Sequence, residues 1–250
     1  MKKERIDKLL VECAIAESVA KAQALVMSGV VLVDERRVEK SSEEFAPNTK
    51  IRIKGNNFKS KYVGRGGLKL EKALEAFYIC PNGYVCLDVG ASTGGFTDCL
   101  LQNGAKKVVA VDVGTNQLVW QLRTDVRVEV RENVNARYLK PTDFAEKFDL
   151  IVVDVSFISA KKILPVIVSL LQDGGKIITL IKPQFEVKKR EVEAGGIVKD
   201  EEKHQRVIKE VNQAAEKLGL RVSNVIDSPI LGAEGNKEFL VLYENRNARK

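Results

Sequence analysis

Histidine is nearly missing from this 250-residue chain, where His204 stands alone, and the four cysteines, Cys13, Cys80, Cys86 and Cys99, form no C-x-x-C pair. These scarcities argue against a zinc site and a histidine-based nucleophilic triad, so no metal is expected. The cysteines read as reduced, mostly buried thiols of a cytoplasmic protein. Long apolar runs are missing as well. Lys2, Lys3 and Arg5 precede apolar residues in the manner of a signal peptide, but Glu12 and Glu17 interrupt the stretch. Ile163 to Leu171 comes nearest to a span, and it is nine residues long with Pro165 and Ser169 inside it. A membrane-crossing helix needs roughly 18 uninterrupted apolar residues. A cytoplasmic location without a membrane partner is therefore expected. With 44% hydrophobic and 30% charged residues, the composition is that of a soluble globular protein, long enough for one large or two modest domains.

Acidic residues are absent from one stretch in particular. The net charge is +7, and residues 1 to 66 hold 14 Lys+Arg against 9 Asp+Glu. Between Lys50 and Leu70 lie Lys50, Arg52, Lys54, Lys59, Lys61, Arg65 and Lys69 with no acid at all. A dense stretch of one sign, interleaved with Phe58 and Tyr62, points to contact with a polyanion such as RNA.

Tyr84 to Phe96 reads Tyr-Val-Cys-Leu-Asp-Val-Gly-Ala-Ser-Thr-Gly-Gly-Phe, a strand that delivers an acid and three glycines into a helix start. Gly90, Gly94 and Gly95 allow a sharp turn and close approach to a ligand. The G-x-G-x-x-G of a dinucleotide site is missing, and so is the lysine of a phosphate-binding loop. Asp88, two residues before Gly90, would repel a phosphate and welcome a cation. S-adenosyl-L-methionine, which carries an ammonium and a sulfonium and no phosphate, fits these constraints. Asp88, Gly90, Ala91, Ser92, Thr93, Gly94, Gly95 and Phe96 are the expected cradle. A second strand, Lys107 to Asp112, ends in an acid 24 residues after Asp88, where a ribose-binding carboxylate sits in doubly wound sheets. Asn133 is a candidate adenine contact, with Glu132 and Asn135 competing for that role.

Arg5 to Cys13 and Val19 to Ser28 show helical spacing, with Ser18 as N-cap and Gly29 as stop. Val30 to Val33 and Lys50 to Lys54 read as strands around a charged turn at Asp34 to Arg37. Residues 1–59 thus form a small α+β unit, the glycine-rich basic stretch 60–66 reads as a linker, and residues 67–250 form a second domain. In that domain strands are predicted near 84–89, 107–112, 126–130, 150–154, 175–181, 220–227 and 238–244. Helices are predicted from about Leu68 and near 95–103, 117–124, 160–171 and 203–218. Such alternation means an α/β fold with a mostly parallel sheet. The last two strands leave no room for a helix between them, so the last strand is predicted antiparallel. Seven strands with an antiparallel last one make the sheet of Rossmann-like methyltransferases. Gln184 to Lys203 reads as a lid, and His204 as a surface residue of a charged helix.

After the fourth strand stands Asp154-Val155-Ser156-Phe157. It lacks the double proline of exocyclic-amine methylation and the cysteine of pyrimidine C5 methylation. The fifth strand ends in Lys182-Pro183, so a carboxylate and an ammonium should emerge side by side at the carboxyl edge of the sheet. A ribose hydroxyl becomes a nucleophile when its proton leaves, and a lysine can take that proton if its reference pKa of about 10.4 is lowered by burial or a neighbouring cation. Lys69 could be that cation, Glu238 could orient either lysine, and Asp154 could hold Lys182 in line with the methyl donor. Glu234 and Glu244 are near neighbours of Glu238.

Arg-Ile-Asp-Lys-Leu-Leu near the start, followed by Ala-x-Ala-Leu-Val-Met-Ser-Gly-Val-Val-Leu-Val, resembles the alpha-L RNA-binding domain. In that family a helix pair presents its basic face to structured RNA, which implies Lys8, Lys21, Arg36 and Arg37 as contacts. The order Lys69, Asp154, Lys182, Glu238 is similar to the Lys-Asp-Lys-Glu tetrad of FtsJ-type ribose 2′-O-methyltransferases. Arg-Gly-Gly-Leu-Lys-Leu at 65–70, Ala-Val-Asp-Val-Gly at 110–114 and Ile-Lys-Pro-Gln-Phe-Glu at 181–186 extend the likeness over essentially the whole chain, to the TlyA (hemolysin A) family. The resemblance implies Lys182 as general base in methylation of cytidine 2′-hydroxyls of ribosomal RNA within ribosomal subunits. It also brings a claim of haemolytic activity, and a non-catalytic assembly factor is a third reading.

Overall fold

The computed structural model describes residues 3–13, 15–16, 18–47, 49, 51–53, 61–232 and 235–245, in two compact units, 1–60 and 61–250. Lys50, Lys54, Lys59 and the side chain of Arg52 lie outside the described residues.

In the first unit, β1 (Glu4–Arg5) leads into α1 (Ile6–Glu12), and α2 (Val19–Met27) starts on Ser18, whose hydroxyl accepts the Lys21 N–H at 3.3 Å. Gly29 ends α2 at φ 70°. β2 (Val31–Val33), β3 (Arg36–Arg37) and β5 (Ile51–Ile53) form a sheet in the order β3-β2-β5, and β4 (Glu44–Phe45) pairs with β1. The helix pair closes over Ile6, Leu10, Ala22, Val26, Val31, Val33 and Ile53. Asp7 is 1% exposed there, and it accepts from Arg5 and from Gln23. The bond from Arg5 leads in holding its carboxyl down at about 2, against the opposing effect of burial.

The second unit begins with α3 (Gly66–Ala76) and alternates through β6 (Val85–Val89), α4 (Gly95–Gln102), β7 (Lys107–Val111), α5 (Trp120–Arg123), β8 (Val128–Arg131), β9 (Phe148–Val153) and α6 (Leu164–Val168). It continues with β10 (Leu171–Ile181), α7 (Pro183–Glu186), α8 (Glu201–Lys217), β11 (Leu220–Asp227) and β12 (Phe239–Asn245). The seven strands lie in the order β11-β12-β10-β9-β6-β7-β8. The run from β10 to β8 is parallel; β12 is antiparallel, as predicted, and lies between β10 and β11. Strand periodicity divides the core in two. Leu87, Val89, Val153, Ile181 and Phe239 face α6 and α8, while Cys86, Val152, Leu180 and Leu240 face α3 and α4.

Residues 61–66, read above as part of a linker, belong to this second unit. Tyr62 is 2% exposed with its ring against Gly67, its hydroxyl donates to Glu71, and the Val63 N–H donates to Asp98. His204 is likewise buried rather than on the surface: its Nε2 lies 2.8 Å from the Val198 carbonyl and its ring 5.5 Å from Phe239. Asn236 accepts from the Val198 N–H and donates to the Gly196 carbonyl, so the expected lid is pinned at this end. Cys86 and Cys99 are buried, and Cys13 and Cys80 are exposed. Among the described residues no helix is long and apolar enough to cross a membrane.

Candidate active site at the carboxyl edge of the sheet

β6 ends at Val89, and the next residues turn away in a conformation that suits glycine. Gly90 has φ 87° and Gly94, the cap of α4, has φ 102°. A Cβ on Gly90 would lie 2.3 Å from the Asp154 carbonyl, so this turn and the end of β9 are in backbone contact. Beside them opens a cavity of about 520 Å3, whose walls include Gly90, Ser92, Asp112, Gln117, Asn135, Asp154 and Phe157. Asp112 is held by two backbone donors, the Ser92 N–H at 2.8 Å and the Gly114 N–H at 2.7 Å. A fixed carboxylate of this kind can accept from a pair of ribose hydroxyls. The donor set, two carboxylates and close-approaching backbone, fits a cationic nucleoside.

A second, smaller cavity of about 110 Å3 lies between Gly64, Arg65 and Gly66 on one side and Ala91, Ser92, Thr93, Gly95 and Phe96 on the other, with Asp154 in its wall. Here α3 and α4 nearly touch: a Cβ on Gly95 would lie 2.9 Å from the Gly67 nitrogen.

The four tetrad residues come together as two ion pairs. Asp154, Lys182 and Glu238 each stand one residue beyond the ordered strand, in line with Val152, Leu180 and Leu240, and so on the face that α3 covers. The register Ile181↔Phe239 sets Lys182 and Glu238 next to one another across the sheet. Lys182 Nζ lies 2.6 Å from Asp154 Oδ1 and donates to Ser156 Oγ at 2.9 Å. Lys69, buried on α3, lies 2.5 Å from Glu238 Oε2. Gly232 makes room for that carboxylate, since a Cβ there would fall 2.0 Å from Glu238 Oε1.

Three expected cofactor contacts, Asp88, Gly94 and Asn133, line neither cavity. Asp88 sits on the α4 face of β6, fully buried, where Oδ2 accepts the Thr97 hydroxyl at 2.6 Å and Oδ1 has no protein partner. It does not line the cavity. Asn133, at φ 58°, accepts from the Thr115 hydroxyl and also stays out of the wall, which Val134 and Asn135 supply. Glu132 is occupied by Arg123 and by the N–H groups of Asn116, Gln117 and Leu118.

Residues 62–245 match the FtsJ-like methyltransferase family, and residues 4–51 match the S4 domain. The Bacillus subtilis protein YqxC is 46% identical over 241 residues, covering 96% of this chain and 85% of that one. A Mycobacterium tuberculosis protein named 16S/23S rRNA (cytidine-2′-O)-methyltransferase TlyA is 40% identical over 248 residues, covering 99% and 92%. This chain belongs to the TlyA family of FtsJ-like methyltransferases. A solved structure from Streptococcus thermophilus superposes on it with a TM-score of 0.75 at 43% identity, covering 99% of this chain and 90% of that one.

For a TlyA-family site, three features went unread in the sequence. Ser156 accepts from Lys182, Gly64 to Gly66 form a cavity wall, and Phe157 stands at the cavity rim, 92% exposed at φ 64°, with its ring 5.1 Å from Phe185. An exposed aromatic in a left-handed conformation has no sequence signature. In the S4 unit, Lys8, Lys21, Arg36 and Arg37 are exposed, with Arg37 lying across Gly29. In the methyltransferase unit Arg65 is exposed, and Lys61 pairs with Glu71.

Burial pushes the Asp88 carboxyl up to about 7; the Thr97 bond opposes the rise, and the charges of Asp154 and Asp112 add to it. The folded protein therefore keeps a proton that the unfolded chain releases near an ordinary aspartate value of about 3.9. Stability from this group is complete below that value and is lost as pH rises through about 7. Urea midpoints should fall between about pH 5 and about pH 8, by an amount that Asp88→Asn removes. A variant profile parallel to the wild type would exclude Asp88 as the source.

Proposed function

We propose that this protein is an S-adenosyl-L-methionine-dependent 2′-O-methyltransferase acting on ribose, with cytidine of ribosomal RNA as its target. The observation that carries this reading is the Lys182–Asp154 pair beside the larger cavity. When bound, the cofactor supplies an electrophilic methyl group on a sulfonium. Asp112 holds the cofactor's ribose, and the Gly90 turn lets the backbone approach it. Lys182 takes the proton of the substrate 2′-hydroxyl, and Asp154 and Ser156 hold the resulting ammonium in the arrangement described above. Lys69, oriented by Glu238, adds a second positive charge where an alkoxide develops. Phe157 offers a face on which an unstacked base can rest. The S4 unit, through Lys8, Lys21, Arg36 and Arg37, docks structured RNA of a ribosomal subunit, which places the work in the cytoplasm.

The test is to incubate the protein with purified ribosomal subunits and labelled S-adenosylmethionine, then digest the RNA and identify methylated nucleosides by mass spectrometry. 2′-O-methylcytidine is the expected product. Methylation confined to bases, or no methylated ribose, would overturn the assignment.

A further inference from the structure

The segment that follows β10 grips the loop that follows β9 at three points. Lys182 meets Asp154 and Ser156, the Phe185 ring meets Phe157, and Glu186 reaches the next turn of chain. The first contact belongs to the chemistry proposed above, while Glu186 has no part in it. Its side chain is 2% exposed. Oε2 accepts the Ser159 hydroxyl and Oε1 the Ala160 N–H, both at 2.6 Å. These donors open the single 3-10 turn Ala160–Lys162, immediately after Asp154–Ile158. The charged and titratable groups facing Glu186 are Lys161, 3.8 Å away and itself paired with Glu210 of α8, together with Glu210 and the buried Tyr243 of β12.

A buried carboxylate carries a desolvation cost of several kcal/mol unless hydrogen bonds use its oxygens. Here both oxygens are used by neighbouring residues of one loop. Val155 and Ile158 of that loop rest on the core, whereas Ser156 and Phe157 between them are exposed, with Phe157 at φ 64°. We propose that Glu186 is a positioning residue: by holding Ser159 and Ala160, its carboxylate fixes the Asp154–Phe157 loop so that Asp154 and Ser156 meet Lys182. The inference rests on the methyltransferase reading and assigns Glu186 no contact with substrate or cofactor.

The charge matters as well as the shape. Burial pushes the Glu186 carboxyl above the usual carboxylate range, the bonds from Ser159 and Ala160 and the charge of Lys161 oppose the rise, and Glu210 adds to it. On protonation both bonds lose the charge assistance of the carboxylate, and the Ser159 hydroxyl must turn to accept from the new carboxyl O–H. Below the acid-side limb that protonation of Lys182 sets, turnover should therefore fall more steeply as Glu186 takes up its proton, at a pH above ordinary carboxylate titration.

The experiment compares single-turnover ribose methylation by wild type, Glu186→Gln and Glu186→Ala across pH, with cofactor affinity measured by calorimetry. Misplacing the loop should slow turnover roughly tenfold in Glu186→Gln and roughly a hundredfold in Glu186→Ala, with KM for RNA and cofactor affinity within about twofold of wild type. That added steepening should be missing in Glu186→Gln, a change that a merely structural role would not produce. If Glu186→Ala does not fold, Glu186→Gln decides. Turnover within about twofold of wild type in Glu186→Gln, or the added steepening left in place, overturns the inference alone. A wild-type protein that methylates no ribose overturns the functional reading and this inference together.

Discussion

Lys182→Ala should lower methyl transfer by roughly 10²- to 10⁴-fold, the usual contribution of a positioned general base, while leaving S-adenosylmethionine affinity nearly unchanged. Lys182 does not line the larger cavity; its ammonium is engaged with Asp154 and Ser156. The alanine variant alone cannot separate a proton acceptor from a fixed positive charge. Lys182→Arg can, because a guanidinium keeps the pair with Asp154 and does not deprotonate in proteins. If Lys182 is the base, the arginine variant is as slow as the alanine one. An arginine variant with near-wild-type turnover would assign Lys182 an electrostatic role instead, and an unchanged alanine variant would remove it from the chemistry altogether.

Gly90→Ala should weaken cofactor binding and lower the melting temperature. Two costs combine at this position. The backbone is left-handed at φ 87°, and the new Cβ would stand 2.3 Å from the Asp154 carbonyl and 3.4 Å from the Val155 Cα. Left-handed strain alone costs about 1–2 kcal/mol. Gly174 is the matched control, since it has φ 76° and nothing within 4 Å of its would-be Cβ. Gly174→Ala therefore reports strain without contact, and the excess loss in Gly90→Ala measures the backbone approach. That approach joins the Gly90 turn to Asp154, the proposed partner of the base, so turnover at saturating cofactor should also fall in Gly90→Ala and not in Gly174→Ala. Equal effects on stability and turnover in the two variants would show that the approach carries nothing.

Most strands were legible because a parallel sheet buried on both faces writes itself as short apolar runs, as Val85–Val89 and Phe148–Val153 do. The misreadings have local causes. The helix expected at 117–124 shrinks to Trp120–Arg123 because Val119 is extended at φ −63°, ψ 149°, after a loop whose Asn116, Gln117 and Leu118 N–H groups are held by Glu132, distant in sequence. The helix expected at 160–171 splits into Ala160–Lys162 and Leu164–Val168, and β10 begins at Leu171 because that residue already pairs with Phe148. His204 was readable as buried, since Val207, Ile208, Val211 and Ala215 continue its stripe at helical spacing. For Asp88, alternation in β6 gave the side-chain parity, but only the assembled sheet tells which face meets the cavity. The tetrad was legible as an order of residue types. Its division into Lys69–Glu238 and Lys182–Asp154 depends on the position of β12 between β10 and β11, which strand order in the sequence does not reveal.

Lys69 and its partner Glu238 are separated by 169 positions along the chain. During synthesis, at about 5–20 residues per second, α3 leaves the ribosome many seconds before β12 exists. Until β12 arrives, β10 has an open edge, β11 has no neighbour in the sheet, and Lys69 lacks its counter-charge. The cofactor turn, by contrast, can be assembled from segments made early, Val85–Gln102 and Lys107–Val111. A ribosome-bound nascent chain can thus form the Gly90 turn well before β12 brings Glu238 to Lys69, so one of the two ion pairs at this edge waits for a strand made more than a hundred residues later.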